Sequence, residues 1–118
     1  MKVIHKETAQ EIGRGFSIEL PTDAVVVSAA FQRQKFVFWY SYAVGVGYAE
    51  ALHGKSLREF IVVATGQNFP DAYTHRATAL LDQDGTEVYH LLEYTNSAPV
   101  QTTQGVRRVR VRSNVKPG

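Results

Sequence analysis

At 118 residues, with 44% hydrophobic and 20% charged side chains, the chain suffices for one domain that buries a core without staples. The absence of cysteine excludes disulfides and thiolate metal centres, and no apolar run approaches the roughly 18 residues of a membrane-spanning helix. The formal charge of +2 divides unevenly: residues 1–94 carry eight Lys and Arg against eleven Asp and Glu, whereas residues 95–118 carry five basic residues and no acid.

The N-terminus, MKVIHKET, is too often interrupted by charge for a signal-peptide core, so a soluble intracellular protein is expected. Lys2–Thr8 reads as a first strand. Phe16–Leu20 alternates cleanly and stops at Pro21, which has no N–H for a ladder bond. Ala24–Gln32 and Lys35–Tyr42 come next, joined by the short polar Arg33-Gln34 turn. Leu57–Thr65 is the next strand, closed by Gly66. Ala72–Leu81 and Glu87–Tyr94 flank Asp82-Gln83-Asp84-Gly85, whose Asp-Gly pair is the strongest hairpin signal in the chain. Only residues 47–56 have the makings of a helical turn.

About seven strands with frequent turn signals predict an all-β domain over residues 1–94, a small antiparallel sandwich or flattened barrel. Phe16, Ile18, Leu20, Val25, Val27, Phe60, Val62, Leu80, Val88 and Leu92 are expected in its core. Strands 36–42 and 60–64 are apolar on both faces. Such two-sided patterning predicts either central strands or a surface covered by another subunit, and a homo-oligomer touching through some of Phe36, Phe38, Trp39 and Tyr40 is expected. Residues 95–105 read as a polar linker. Val106–Arg112 resumes β-like alternation, giving a basic C-terminal strand or tail.

Gly54-Lys55-Ser56 has the ending of a phosphate-binding loop, G-x-x-x-x-G-K-[ST]. Ala49 stands where its first glycine belongs, however, and Leu57–Thr65, directly after Ser56, has the pattern of a strand. A phosphate-binding loop instead runs into a helix whose N-terminus holds the anion. Gly45-x-Gly47 likewise meets Glu50 where a third glycine is required. The stretch from Ala43 to Ser56 is therefore a connection, longer than a common hairpin loop and of the kind that often carries binding. His5, His53, His75 and His90 have no metal-ligand spacing, although His75 and His90 lie on the two arms of one hairpin. No serine has a nucleophile-elbow context. No catalytic residue, metal or cofactor is expected, and the chain does not read as an enzyme.

Two features have binding potential. Phe36, Phe38, Tyr40 and Tyr42 share one strand face and Trp39 the other, and the polar tips of Tyr and Trp suit ligands or interfaces. Arg107, Arg108, Arg110, Arg112 and Lys116 can bind phosphates. Without interleaved aromatics for stacking, nucleic-acid binding through them would be non-specific; the plainer reading is a solvated tail or a charge-blunted edge strand.

The order of Ile18-Glu19-Leu20-Pro21, the Val25–Val27 strand, the aromatic strand with Trp39, R-x-F-x-V-x-x-T-G at Arg58–Gly66, Pro70, and V-x-H-L-x-E at Val88–Glu93 resembles a family of short tailed-bacteriophage proteins of unknown function. The resemblance covers residues 2–94; the Ala43–Ser56 insert and the basic extension depart from it. It implies no catalytic residues. It implies an accessory protein in the host cytoplasm that counters host defence by sequestering a nucleotide-like signal or binding a defence protein. A nucleic-acid-associated protein and a virion or assembly component are the alternatives. A phosphate-bearing ligand needs cationic donors, backbone N–H groups and a flat platform for its base. Arg58 and Arg76 on neighbouring strands, Thr65 and Gly66 at a strand end, Trp39, Tyr40 and Tyr42, and His53 and Lys55 on the long loop are the residues expected to supply them.

Overall fold

The computed structural model describes residues 1–45, 50–82 and 84–95. Among them run seven strands and no helix: β1 (Lys2–Thr8), β2 (Phe16–Pro21), β3 (Val25–Gln32), β4 (Lys35–Ala43), β5 (Lys55–Ala64), β6 (Tyr73–Leu80) and β7 (Val88–Tyr94). They form two sheets, β1-β4-β3 and β2-β5-β7-β6, with every neighbouring pair antiparallel.

Turn chemistry sets the local registers. Arg33 and Gln34 take φ of 52° and 66°, the two left-handed residues of a tight hairpin whose twist matches that of its strands. Neither is Gly or Asn, so this turn stores strain. At the β6–β7 hairpin Gly85 takes φ of 73° without a Cβ penalty, Leu81 N–H donates to Glu87 O at 2.8 Å, and Thr86 donates through N–H and Oγ1 to Asp82.

The sheets close on a shared apolar layer. Phe16, Ile18 and Leu20 of β2, Phe36, Phe38, Tyr40 and Tyr42 of β4, Phe60 and Val62 of β5, Ala77 and Ala79 of β6, and Leu91 of β7 are all buried in it. Phe60 anchors the layer, with ring centroids 6.1 Å from Phe16 and 5.5 Å from Phe38. At one side β3 and β6, edge strands of different sheets, run beside each other. The small Ala29, Ala77 and Ala79 on the core side let them approach.

Two interruptions of the ladders matter most. Register shifts between Val26 and Ser28 on β3, and between His75 and Ala77 on β6. Each bulge puts an extra residue on its strand, Val27 and Arg76, and exchanges the faces beyond it. Ala29 and Phe31 face the core, so unbroken alternation would bury Val27 and Val25; with the bulge, Val26 turns in instead. Val25 and Val27 are 58% and 49% exposed, against expectation. Leu80 is also exposed and its cross-strand partner Val88 only half-buried, because β6 buries its alanines where it nears β3. The remaining expected core residues, Phe16, Ile18, Leu20, Phe60, Val62 and Leu92, are buried.

The apolar faces of β4 and β5 belong to central strands. Phe36, Phe38 and Tyr40 lie inside the domain's own core, leaving Trp39, half-buried on the outer face, as the member of that group available to a neighbour. On the same outer face Lys6 Nζ donates to Gln32 Oε1 at 2.9 Å across β4, spanning the position of the buried Val37. Residues 50–54 form a bridge, Val44 to Ala51, and a turn rather than a helix, and Lys55 and Ser56 already belong to β5; residues 46–49, and the expected C-terminal strand at 106–112, lie outside the described residues.

Candidate functional site

The bulge on β6 turns Arg76 toward Glu93 of β7, a carboxylate that β7's alternation with Leu91 sends to the core face. Glu93 is 6% exposed. A charge so placed requires partners, and two arginines supply them. Arg58 of β5 donates from Nε to Glu93 Oε2 at 2.7 Å and from Nη2 to Oε1 at 2.9 Å, a bidentate pair. Its Nη1 donates to Ala24 O at 2.9 Å and Pro21 O at 3.4 Å, tying the β2–β3 turn to the second sheet. Arg76 donates from Nε to Glu93 Oε1 at 3.0 Å.

Arg58 is thus consumed by the fold, with a side chain 14% exposed. Arg76, at 35%, is not: among the described residues its Nη1 and Nη2 have no hydrogen-bond partner. Two guanidiniums against one carboxylate leave one positive charge unbalanced. They line a cleft of about 250 Å³ between the two bulges, together with Ala24, Val25, Val26 and His75.

Burial alone would push the Glu93 carboxyl up. The hydrogen bonds and charge of Arg58, and after them those of Arg76, outweigh it and hold the group below its ordinary value of 4.5. A carboxyl lowered in the folded state stabilises fully above its unfolded pKa, and that stabilisation is lost as pH falls through the folded value. The urea midpoint of the native chain is therefore expected to drop below about pH 4.5 more steeply than that of Glu93→Gln. Equal slopes would mean that Glu93 is not held ionised by its arginines.

The bulge also places His75 on the outer face of its sheet, where a hydrogen-bonded chain begins. His75 Nε2 and Thr78 Oγ1 are 2.8 Å apart, Thr78 Oγ1 and His90 Nδ1 2.8 Å, and His90 Nε2 and Thr65 Oγ1 2.7 Å. The two imidazoles lie 5.4 Å apart by centroid. Burial, and after it the charge of His75, holds His90 below the ordinary histidine value. Among the described residues no three His, Asp or Glu side chains are grouped to hold a metal.

The structure unites some of the residues the sequence singled out and separates others. Arg58 and Arg76 meet on Glu93, not from neighbouring strands as expected but from β5 and β6 on either side of β7, and Thr65 joins the cleft wall through His90, Thr78 and His75. Gly66, at φ of 89°, ends β5 beside Thr65. Tyr40 and Tyr42 face the core, stacked at 5.8 Å, with the Tyr42 hydroxyl 3.2 Å from His5 Nδ1, and do not line the cleft. Trp39 lies on the opposite face of β4. His53 and Lys55 are exposed beyond the β2–β3 turn, where Thr22 N–H donates to Gly54 O at 2.9 Å. Gly54-Lys55-Ser56 runs into β5, so no phosphate-binding helix comes after it. Arg107, Arg108, Arg110, Arg112 and Lys116 lie outside the described residues.

Glu93 and the cleft role of His75 were missed by sequence reasoning. The signal for Glu93 was a lone acid in the apolar strand Val88–Tyr94 at core-facing spacing, a position that demands a cationic partner. No curated protein and no solved structure matches the chain significantly. Residues 1–102 match the sequence pattern of a domain of unknown function, DUF7352, and the chain belongs to that family.

Proposed function

We propose that this protein is a non-enzymatic binding protein that captures a small phosphate-bearing, nucleotide-like ligand in the cleft between β3 and β6. One observation carries the reading: Arg76, which lines a cleft with unbalanced positive charge, is anchored by Nε to a buried carboxylate while its terminal nitrogens have no hydrogen-bond partner among the described residues. Anchoring of this kind removes much of the entropic cost of fixing a long side chain before the ligand arrives. At about 250 Å³ the cleft is smaller than a typical small-molecule site. It takes a phosphate and part of a sugar, and the base rests against the exposed Val25.

The cellular setting we propose comes from the resemblance of residues 2–94 to short phage proteins: capture of a host defence signal in the host cytoplasm. Assembly with a second copy through the outer face around Ile4 and Trp39 belongs to the same reading. Nucleic-acid association through the basic residues at 107–116 is the second reading, favoured by the five uncompensated charges there.

The test is to incubate the purified protein with extracts of defence-activated cells, denature it and identify released molecules by mass spectrometry. Release of an intact nucleotide is expected, and Arg76→Gln should bind it more weakly by about 1.5–3 kcal/mol, roughly 10- to 150-fold. A chemically altered product would sink the non-enzymatic reading. If nothing is retained, and nucleoside phosphates do not bind in calorimetric titrations, the cleft is not a ligand site. A pull-down that recovers a host protein instead supports binding of a defence component.

A further inference from the structure

We propose that the cleft binds a dianionic tetrahedral group, a terminal phosphate or sulfate, together with one proton carried on His75; this deepens the anion-binding reading and rests on it. The geometry of the histidine–threonine chain is the ground. Thr78 Oγ1 sits 2.8 Å from a nitrogen of each imidazole. A hydroxyl has one proton, so Thr78 donates to one ring and accepts from the other. The neutral chain therefore runs in one of two senses.

A proton added to His75 fixes the sense and keeps every bond. His75 Nε2–H donates to Thr78, Thr78 O–H donates to His90 Nδ1, and His90 Nε2–H donates to Thr65. The same proton on His90 would satisfy the same bonds, but that ring is half-buried whereas His75 is exposed, and a charge is better solvated at the surface. A second proton would set two N–H donors against Thr78 and turn its own hydroxyl proton out of the chain. The network thus takes up one proton and holds it at its cleft end, where His75 shares the wall with Arg58 and Arg76.

The ionisable groups around His75 are few and known. β6 brings Arg76 and Tyr73, β7 brings His90, Glu93 and Tyr94, and β5 brings Arg58 and Glu59. β3 brings no ionisable side chain to the cleft, only Val25 and Val26, with Ala24 just before it. Glu59 is engaged by the Tyr73 hydroxyl and Glu93 by both arginines. With His75 neutral the cleft has one unbalanced positive charge, suited to a phosphodiester; with His75 protonated it has two, suited to a terminal phosphate. Proton uptake and dianion binding therefore favour each other.

Calorimetric titration with inorganic sulfate tests this, because sulfate stays dianionic across the range in which imidazoles titrate. Affinity at about pH 5.5 should exceed that at about pH 8 by roughly tenfold or more, the effect of one added charge in a screened cleft. Titrations in buffers of different ionisation heat should show net proton uptake on binding. Methyl sulfate, a monoanion, should respond more weakly to pH. His75→Gln, an exposed substitution checked for folding by circular dichroism, should flatten the sulfate profile and remove the uptake. Sulfate binding that is independent of pH, or whose pH dependence survives His75→Gln, overturns the proton linkage and leaves the anion site standing. No sulfate binding at either pH overturns both.

Discussion

An Arg58→Met variant is expected to lose roughly 3 kcal/mol of folding stability or more, within the 3–5 kcal/mol range for breaking a buried ion pair. The loss comes from the groups the substitution leaves behind. Glu93, 6% exposed, keeps its charge but loses two hydrogen bonds, and the Ala24 and Pro21 carbonyls lose their donor. Arg76 stays 3.0 Å from Glu93 Oε1 and compensates in part, which places the effect toward the lower end. Urea unfolding measures it as a lowered midpoint at unchanged slope. The double variant Arg58→Met, Glu93→Leu should recover most of the loss, since an apolar pair of similar volume spares the desolvation cost. If it recovers nothing, the penalty of the single variant does not arise from the orphaned carboxylate.

Phe60→Ala should cost about 3–5 kcal/mol, the range for truncating a fully buried aromatic. Phe60 is 0% exposed, packs its ring on Phe16 and Phe38 from the two sheets, and lies under the Arg58 guanidinium at 5.9 Å. The cavity would open where the sheets meet, and β2, β4 and β5 are each held by hydrogen bonds that resist its collapse. Leu80→Ala is the matched control: Leu80 is 53% exposed, so its truncation should stay within about 0.5 kcal/mol. A small loss at Phe60, or a large one at Leu80, would contradict the packing of the two sheets. The pair also separates alternation read from sequence, which places both residues inside, from the packing that places one of them out.

Most of the secondary structure was legible because its causes are local. Alternation in Phe16–Leu20 and the breaks at Pro21, Gly66 and Asp84-Gly85 come from side-chain period and turn chemistry within a few residues. Each strand read from them lies within two residues of its observed bounds, and the all-β class with antiparallel pairing results. The failure of Gly54-Lys55-Ser56 as a phosphate loop was legible for the same reason: the strand pattern after it excludes a helix. The importance of Arg58 and Arg76 could be suspected from their positive charge, but not their arrangement: β5 and β6 are not neighbours, and β7 lies between them.

The way those two arginines are joined could not be read so. Bulges at Val27 and Arg76 arise from how β3 and β6 pair with β4 and β7, and neither bulged residue is a glycine that would mark its place. Each bulge exchanges the two faces of its strand, exposing Val25, carrying His75 to the outer face and turning Arg76 onto Glu93. The approach of β3 to β6, which makes a cleft of these changes, is a contact between edges of different sheets. Periodicity belongs to one strand at a time and determined the elements; register and edge contact belong to pairs of strands, and only the tertiary structure decided where the charges of this chain converge.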